Sequence, residues 1–503
     1  MEIFDYLSAA SFAQEYFVAL GAYEGVQPVC GSNLNFVMKA MIGGKTVCST
    51  KTSQRETREP VVALDAVSLY PSAMSQIPGY PIGPGKVWRS EVRDGEAIDS
   101  SVYGIFEVEI LAMENKEYSL PAFRYRAEKR GRSRPRKAEN LTDLEGAGIT
   151  WDHGDARYKG RKIVADTITL RDYEMLYGLK YKILQGLYWT EFNTRVNTII
   201  QDLFNKRLEY KKAGNKGLSN VVKLLMNSAY DKSTDFVYGQ GENYVYTKGT
   251  DYAIGRDYIF SKNSLTPSEQ EERVYTDTRD PIAVYGPRFL ESHSVGSSKF
   301  VKILSCSYNQ QNFAHLGVMI LSQSKHYMNR LLELSTPDSI FYQDTDSYHI
   351  LRSEVQPLAD RYREKYGAEL LGSSLCQFHI GYDYGKPLET LYSEHSVYVC
   401  PNVYAERIRC DDDESFDEVF FKCKGIPSCS IENKAKQSSA KDLGTNIMDI
   451  FTSGKIVEFD LLEGRANIKI GKAGSVTTRR EFKRKISMSA EELHRGEKRA
   501  RKC

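Results

Sequence analysis

The chain has 503 residues with 68 Lys/Arg against 66 Asp/Glu, a formal net charge of +2, and 41% hydrophobic residues. That length suggests about three domains and ample core, while the near-neutral balance excludes binding of a polyanion through the overall field and leaves only local basic patches for that work. No apolar run is long enough to span a bilayer. The nine cysteines are scattered with no Cys-x-x-Cys pair, which argues against a zinc module; their odd number and the lack of a secretory segment point to reduced thiols in an intracellular compartment.

In chain order, a helical stretch is expected around Ala10 to Leu20. Gly43-Gly44-Lys45-Thr46 has the end of a P-loop, but Lys39 stands where the first glycine is required. Val61 to Leu64 is a β-branched, apolar run that reads as a buried strand ending at Asp65, within Asp65-Ala66-Val67-Ser68-Leu69-Tyr70-Pro71-Ser72. Tyr103 to Leu111 is also strand-like. A basic run from Arg124 to Lys137 carries Arg124, Arg126, Lys129, Arg130, Arg132, Arg134, Arg136 and Lys137 against Glu128 alone, and reads as a phosphate-binding loop or hairpin. The apolar stripe Phe204, Leu208, Val222, Leu225 and Met226, interrupted at Ala213 to Gly217, predicts two antiparallel helices joined by a turn. Lys223, Asn227 and Tyr230 then share one helical face, beside the cations Arg207 and Lys211. Residues 233–300 are rich in Tyr and Gly, with strand-like pieces such as Tyr244-Val245-Tyr246. His315 to Leu334 reads as a helix, and Ser339 to Tyr342 as a second strand, ending in Tyr342-Gln343-Asp344-Thr345-Asp346-Ser347. Asp411 to Glu414 reads as a solvated hairpin tip, and Arg479 to Cys503 as a basic tail with ten Lys/Arg against four Glu.

Two residues apart on a strand, Asp344 and Asp346 are expected to present their oxygens on one face. With Asp65 they form three converging carboxylates, which repel unless divalent cations neutralise them. Mg²⁺ suits such a site, because it takes oxygen ligands, keeps some waters and shares substrate phosphates. Two such ions about 4 Å apart activate an attacking hydroxyl and stabilise the leaving oxygen of an in-line displacement. Taken alone, Asp-Thr-Asp-Ser is more often a turn and Lys-x-x-x-Asn a helix surface; the fixed order of all three segments favours chemistry.

These segments resemble motifs A (Asp65 to Ser72), B (Lys223 to Tyr230) and C (Tyr342 to Ser347) of the family B DNA polymerases, over about residues 40 to 430. The resemblance implies an α+β right-hand fold of palm, fingers and thumb with two insertions between the palm motifs. It implies a template-directed DNA polymerase working by two-metal nucleotidyl transfer, with two Mg²⁺ ions (Mn²⁺ as substitute), DNA template-primer and dNTPs as partners. Asp65 and Asp346 would be the principal metal ligands with Asp344 supporting them. Ser68, Leu69, Tyr70, Arg207, Lys211, Lys223, Asn227 and Tyr230 would take the dNTP, with the backbone amides of Ala66 to Leu69 on the triphosphate and Tyr70 as the gate against a ribose 2′-hydroxyl.

The long stretches between the motifs resemble the protein-primed branch, which starts synthesis on a terminal protein. Met41-Ile42-Gly43-Gly44 resembles that branch's Tyr-x-Gly-Gly element, with Met41 for tyrosine. Asn402-Val403-Tyr404 resembles its Lys-x-Tyr element, with Asn402 for lysine. Lys422-Cys423-Lys424-Gly425-Ile426 resembles the Lys-Gly-Ile element of related virus and plasmid polymerases. Gly43, Gly44, Tyr404, Lys422 and Lys424 are the implied DNA or primer contacts, with Lys422 or Lys424 replacing the missing cation. Asp231 stands where the family usually has glycine. The implied division is 1–58 an N-terminal remnant or linker, 59–111 palm, 112–188 a first insertion contacting terminal protein or DNA, 189–232 fingers, 233–300 a second insertion, 301–424 palm, and 425–503 thumb and basic tail. Only 64 residues precede Asp65, too few for a proofreading exonuclease of ordinary size, so this chain is expected not to trim a mismatched 3′ end. Two other readings stand against this one. A degenerate polymerase fold kept as a nucleic-acid-binding scaffold is consistent with Met41, Asp231 and Asn402, and a nucleotide-sugar transferase would need only the Asp-x-Asp.

Overall fold

The computed structural model describes residues 9–29, 31–49, 55–89, 101–127, 148–238, 243–250, 253–261, 270–275, 289–295, 298–304, 313–438, 442–461, 467–470, 476–479 and 483–489. It begins with α1 (Ala9–Ala19), α2 (Gly31–Ala40) and the short strands β1 (Thr46–Cys48) and β2 (Glu56–Thr57). Val61 to Leu64 are buried and form β3 (Val61–Ala66), which turns directly into α3 (Leu69–Gln76). There follow β4 (Tyr80–Pro81), β5 (Lys86–Arg89), β6 (Tyr103–Ala112), β7 (Phe123–Ala127), β8 (Gly148–Asp152), β9 (Lys162–Asp166), α4 (Thr167–Tyr177), β10 (Lys180–Trp189) and β11 (Phe192–Asn193). The two antiparallel helices appear as α5 (Arg195–Lys212) and α6 (Lys216–Tyr238). Beyond them β12 (Asn243–Thr250) pairs with β13 (Ala253–Ser261), and β14 (Gln270–Tyr275), β15 (Phe289–Val295) and β16 (Ser298–Leu304) make a small sheet. The chain continues through α7 (Ala314–Leu334), β17 (Ile340–Asp344), β18 (Ser347–Leu351), α8 (Arg352–Tyr366), β19 (Phe378–Ile380), β20 (Leu391–Cys400), β21 (Val403–Cys410) and β22 (Asp413–Cys423). It closes with α9 (Ser428–Lys436), α10 (Leu443–Thr452), β23 (Ile456–Asp460), β24 (Asn467–Ile470), β25 (Val476–Arg479) and β26 (Lys483–Ser487).

A nine-stranded sheet is the frame, in the order β1-β17-β18-β3-β20-β21-β22, with β19 added to β3 and β2 to β20. Its centre brings the two motif-bearing strands together, because β18 runs antiparallel to β3 with Ser347 opposite Asp65. The buried helix α7 lies against α3 and α4, and Leu316, Val318, Met319, Ile320 and Leu321 are almost inaccessible. A separate core, with Ile431, Ile447, Met448, Phe451 and Phe459, closes the C-terminal part.

Four expectations are corrected here. The described part of residues 9–41 is not a linker: Phe17, Leu34, Val37 and Met41 are buried in one cluster with Val196, Ile200 and Met226 of the helical hairpin. The strand at 103–112 leaves the frame and joins a four-stranded sheet, β5-β10-β6-β9, because its long antiparallel register is with β10. Residues 301–304 belong to β16, whose partners are β14 and β15. Arg124 does not belong to an exposed patch: it is 6% exposed, and its guanidinium donates to the Ala40 carbonyl at 3.1 Å. Lys129 to Lys137 and residues 490–503 lie outside the described residues.

Candidate active site

The candidate carboxylates lie at strand ends where the chain reverses. β17 stops at Asp344, and the turn that follows holds Thr345 at φ +59°. Asp346 therefore sits in the turn rather than on the strand, with its N–H on the Asp344 carbonyl at 2.7 Å and its carbonyl accepting from the Ala66 N–H at 2.8 Å. The expectation that Asp344 and Asp346 share a strand face is thus overturned by the tight turn between them. Asp346 is directed toward Asp65 instead: each carboxyl is pushed up chiefly by burial, and Asp346 further raises Asp65, to about 7. The Asp344 charge also raises Asp346, but the Asp344 oxygens are engaged by other groups. Thr46 Oγ1 donates to its Oδ1 at 3.0 Å and Lys422 Nζ donates to its Oδ2 at 2.6 Å. Among the described residues no three carboxylate, imidazole or thiol groups form a ready metal cage. The pair Asp65 and Asp346 still fits Mg²⁺, which binds through one or two carboxylates and completes its shell with waters and substrate phosphates.

Motif A supplies the floor. Ser68 adopts φ +50° at the start of α3, and Arg207 Nη1 from α5 donates to its hydroxyl at 3.0 Å. The N–H groups of Ala66 and Val67 are taken by the carbonyls of Asp346 and Gln377, both at 2.8 Å. That removes two of the four amides expected on a triphosphate. Those of Ser68 and Leu69 remain candidates, at a helix start where unsatisfied N–H groups and the dipole favour an anion. Tyr70, partly buried, stands in the first turn of the same helix. Ser72 locks the reversal, donating to Val67 and accepting from the Cys376 N–H.

The hairpin α5–α6 overhangs this floor. Lys223 is exposed and Asn227 half-buried on one face of α6, and the Lys223 charge favours the ionised forms of both Asp65 and Asp346. Burial, with the Lys211 charge second, lowers the His379 imidazole; His379 is the register partner of Asp65 on β19. Tyr230 continues α6, but its ring and the side chain of Asp231 lie outside the described residues.

On the far side, Tyr404 and Lys422 face each other across β21 and β22. Tyr404 is 4% exposed, packed on Tyr342 with ring centroids 4.9 Å apart, so it supports the β17–β18 hairpin from beneath rather than lying open to a primer. Asn402 occupies the β20–β21 turn at φ +64°, a conformation in which asparagine is at ease and lysine is not, and its N–H donates to the Tyr342 hydroxyl at 3.0 Å. Lys424 is exposed in the turn after β22, its N–H on the Asn402 carbonyl at 2.9 Å. Gly43 and Gly44 precede β1, and a Cβ on Gly44 would lie 2.5 Å from Thr345 Oγ1. Sequence reasoning missed Thr46, the Arg207–Ser68 link and His379; only pairing across distant strands reveals them.

Residues 1–233 match the family model for DNA polymerase type B, organellar and viral. No curated protein sequence matches the chain. Among solved structures, the fold is similar to Phi29 DNA polymerase in its orthorhombic crystal form, at TM-score 0.58 and 15% identity over 96% of this chain and 68% of that one. It is likewise similar to the Phi29 enzyme complexed with primer-template DNA, at TM-score 0.57 and 15% identity, and to the complex that also holds incoming nucleotide, at 0.55 and 13%, with the same coverage. The mixed α+β architecture therefore resembles the fold of Phi29 DNA polymerase. Over residues 1–233 the chain is thus similar to the type B DNA polymerases of the organellar and viral group.

Proposed function

We propose that the chain is a template-directed DNA polymerase that extends a 3′ end by nucleotidyl transfer. The observation that carries this reading is the partly buried pair of Asp65, at the end of β3, and Asp346, in the turn that leads into its antiparallel partner β18, beneath a cationic helix hairpin. The nine-stranded sheet is then the palm, α5 and α6 the fingers, and residues after Lys424 the thumb. Asp65 and Asp346 would hold Mg²⁺, which when bound lowers the barrier to attack and neutralises charge on the leaving oxygen.

Around that centre the chain's own groups divide the work. Arg207, Lys211 and Lys223 bind the triphosphate, and Arg207 also ties the fingers to the motif A turn through Ser68. The Ser68 and Leu69 amides meet the phosphates at the start of α3. Tyr70 closes the sugar side against a 2′-hydroxyl, and Asn227 and Tyr230 face the nascent base pair. The primer 3′-hydroxyl attacks the α-phosphorus, the bond to the bridging oxygen breaks, and pyrophosphate leaves. Lys422, replacing the cation that Asn402 cannot supply, stands beside Asp344 for the primer strand. Initiation on a terminal protein is supported by the long chain segments between motifs A, B and C, and replication of a viral or mobile-element DNA follows from that branch.

The test is incorporation of each single dNTP opposite each template base. A polymerase adds the complementary nucleotide in preference at all four. A degenerate scaffold, favoured by Met41, Asp231 and Asn402, binds the same primer-template without adding any, and that result would replace this reading.

A further inference from the structure

The turn that carries Asp346 is held from behind by a segment that bears none of the carboxylates or cations assigned to the reaction. Residues 41–45 lie between α2 and β1, and the Lys45 carbonyl accepts the Thr345 N–H at 2.8 Å. Thr46 pairs with Asp344 both in β register and through its hydroxyl. A Gly44 side chain would overlap Thr345, so the segment is in direct contact with the turn that carries Asp346. Two basic side chains grip its other end: the buried Arg124 donates to the Ala40 carbonyl at 3.1 Å, and the partly buried Lys325 Nζ to the Ile42 carbonyl at 2.7 Å. Arg124 belongs to β7 and is the register partner of Trp151 on β8.

Lys45 completes the link. It is 2% exposed, its ammonium lies 5.7 Å from the centre of the Trp151 ring, and it has no hydrogen-bond partner among the described residues. The carboxylate that acts on it, Asp172, is already bonded to His326 at 2.5 Å and Asn329 at 2.7 Å. A buried amine without a hydrogen-bond acceptor costs stability, and burial lowers Lys45 to about 7. A cation over an indole face offsets part of that cost and fixes an orientation. Stability alone does not account for this lysine, since an apolar chain of the same length would fill the space without the desolvation cost.

We infer that the β7–β8 hairpin is a brace for the catalytic turn, with Lys45, Trp151 and Arg124 as positioning residues. The brace runs from Trp151 to the Lys45 side chain, through the Lys45 carbonyl to Thr345, and so to Asp346. It rests on the polymerase reading for its consequence but not for its geometry. Because β7 and β8 flank residues 128–147, the hairpin also joins the root of the basic run to the turn that bears Asp346.

The test uses the full chain and the variants Lys45→Met, Trp151→Leu and Trp151→Phe. Backbone amide exchange over residues 340–350 is expected to quicken about tenfold in Lys45→Met and Trp151→Leu, while that of α5 is unchanged. Lys45→Met is expected to melt no lower than wild type. In primer extension both variants are expected to lose about tenfold in kcat with the KM for dNTP unchanged, the signature of a displaced catalytic group, and Trp151→Phe to retain wild-type behaviour because it keeps a ring. Unchanged exchange over 340–350 overturns the brace, whatever happens to activity. A wild type that extends no primer contradicts the polymerase reading instead, and leaves the exchange arm to decide the brace.

Discussion

Arg207 does two jobs that a sequence pattern suggests only as charge. Its guanidinium is half-buried, reaches Ser68 at 3.0 Å, and is lowered from its ordinary value by that burial. Arg207→Ala is expected to raise the KM for dNTP by about tenfold or more, the worth of one charge-assisted hydrogen bond, with primer-template affinity little changed; steady-state kinetics at saturating DNA measure both. Asp65 makes a second prediction. Burial and Asp346 move its carboxyl from 3.8 up to about 7. Between those values the folded chain keeps a proton that the unfolded chain has released, so this residue's contribution to stability falls as pH rises through the window and levels off above it. Melting of wild type relative to Asp65→Asn, without divalent cations, is expected to drop between about pH 5 and about pH 7.5. Parallel curves would show that the Asp65 carboxyl is not held in this way. Adding Mg²⁺ is expected to raise the melting temperature of wild type more at the alkaline end, where both carboxylates are charged, and not to do so in Asp65→Asn.

The elements differ in how far the sequence foretells them. β3 and β17 were legible because β-branched, apolar runs end abruptly in acids, and α5–α6 because an apolar stripe survives on both sides of Gly214. The stripe is borne out by packing: Phe204, Val222 and Met226 are buried, with Leu208 and Leu225 partly so. Ile200, fully buried on α5, shares one core cluster with Phe17 of α1 and Ala73 and Met74 of α3. Ile200→Ala is expected to cost about 2–5 kcal/mol, as deletion of a buried aliphatic chain does, read as a lower denaturant midpoint with an unchanged slope. What the sequence hid was cross-chain geometry. A strand period placed Asp344 and Asp346 on one strand face, yet the turn at Thr345 takes Asp346 off the strand, while the Asp344 charge still raises Asp346. A charge run counted Arg124 as surface, yet β7 buries it against the end of α2.

At the scale of the whole molecule, residues 9–29 and 31–48 are integral to the fold. α1 packs against α6, α2 against α7, and β1 extends the frame beside β17. Removing residues 1–40 would expose Val196, Ile200, Met226 and much of α7 to water; the truncated chain is expected to lose its cooperative melting transition and to aggregate, where a true linker would leave both untouched. The same integration explains how a likeness in fold extends over 96% of the chain at 15% identity: packing classes persist where residues do not.

The central claim is that Asp65 and Asp346 form the reacting pair while Asp344 is held by Thr46 and Lys422. Single-nucleotide incorporation on a primed DNA template with Mg²⁺, comparing Asp65→Asn, Asp346→Asn and Asp344→Asn in chains that melt like wild type, tests it most directly. The account predicts a loss of at least about a thousandfold for the first two and about tenfold for the third. Incorporation by Asp346→Asn at the wild-type rate, or a wild type that adds no nucleotide, would contradict it.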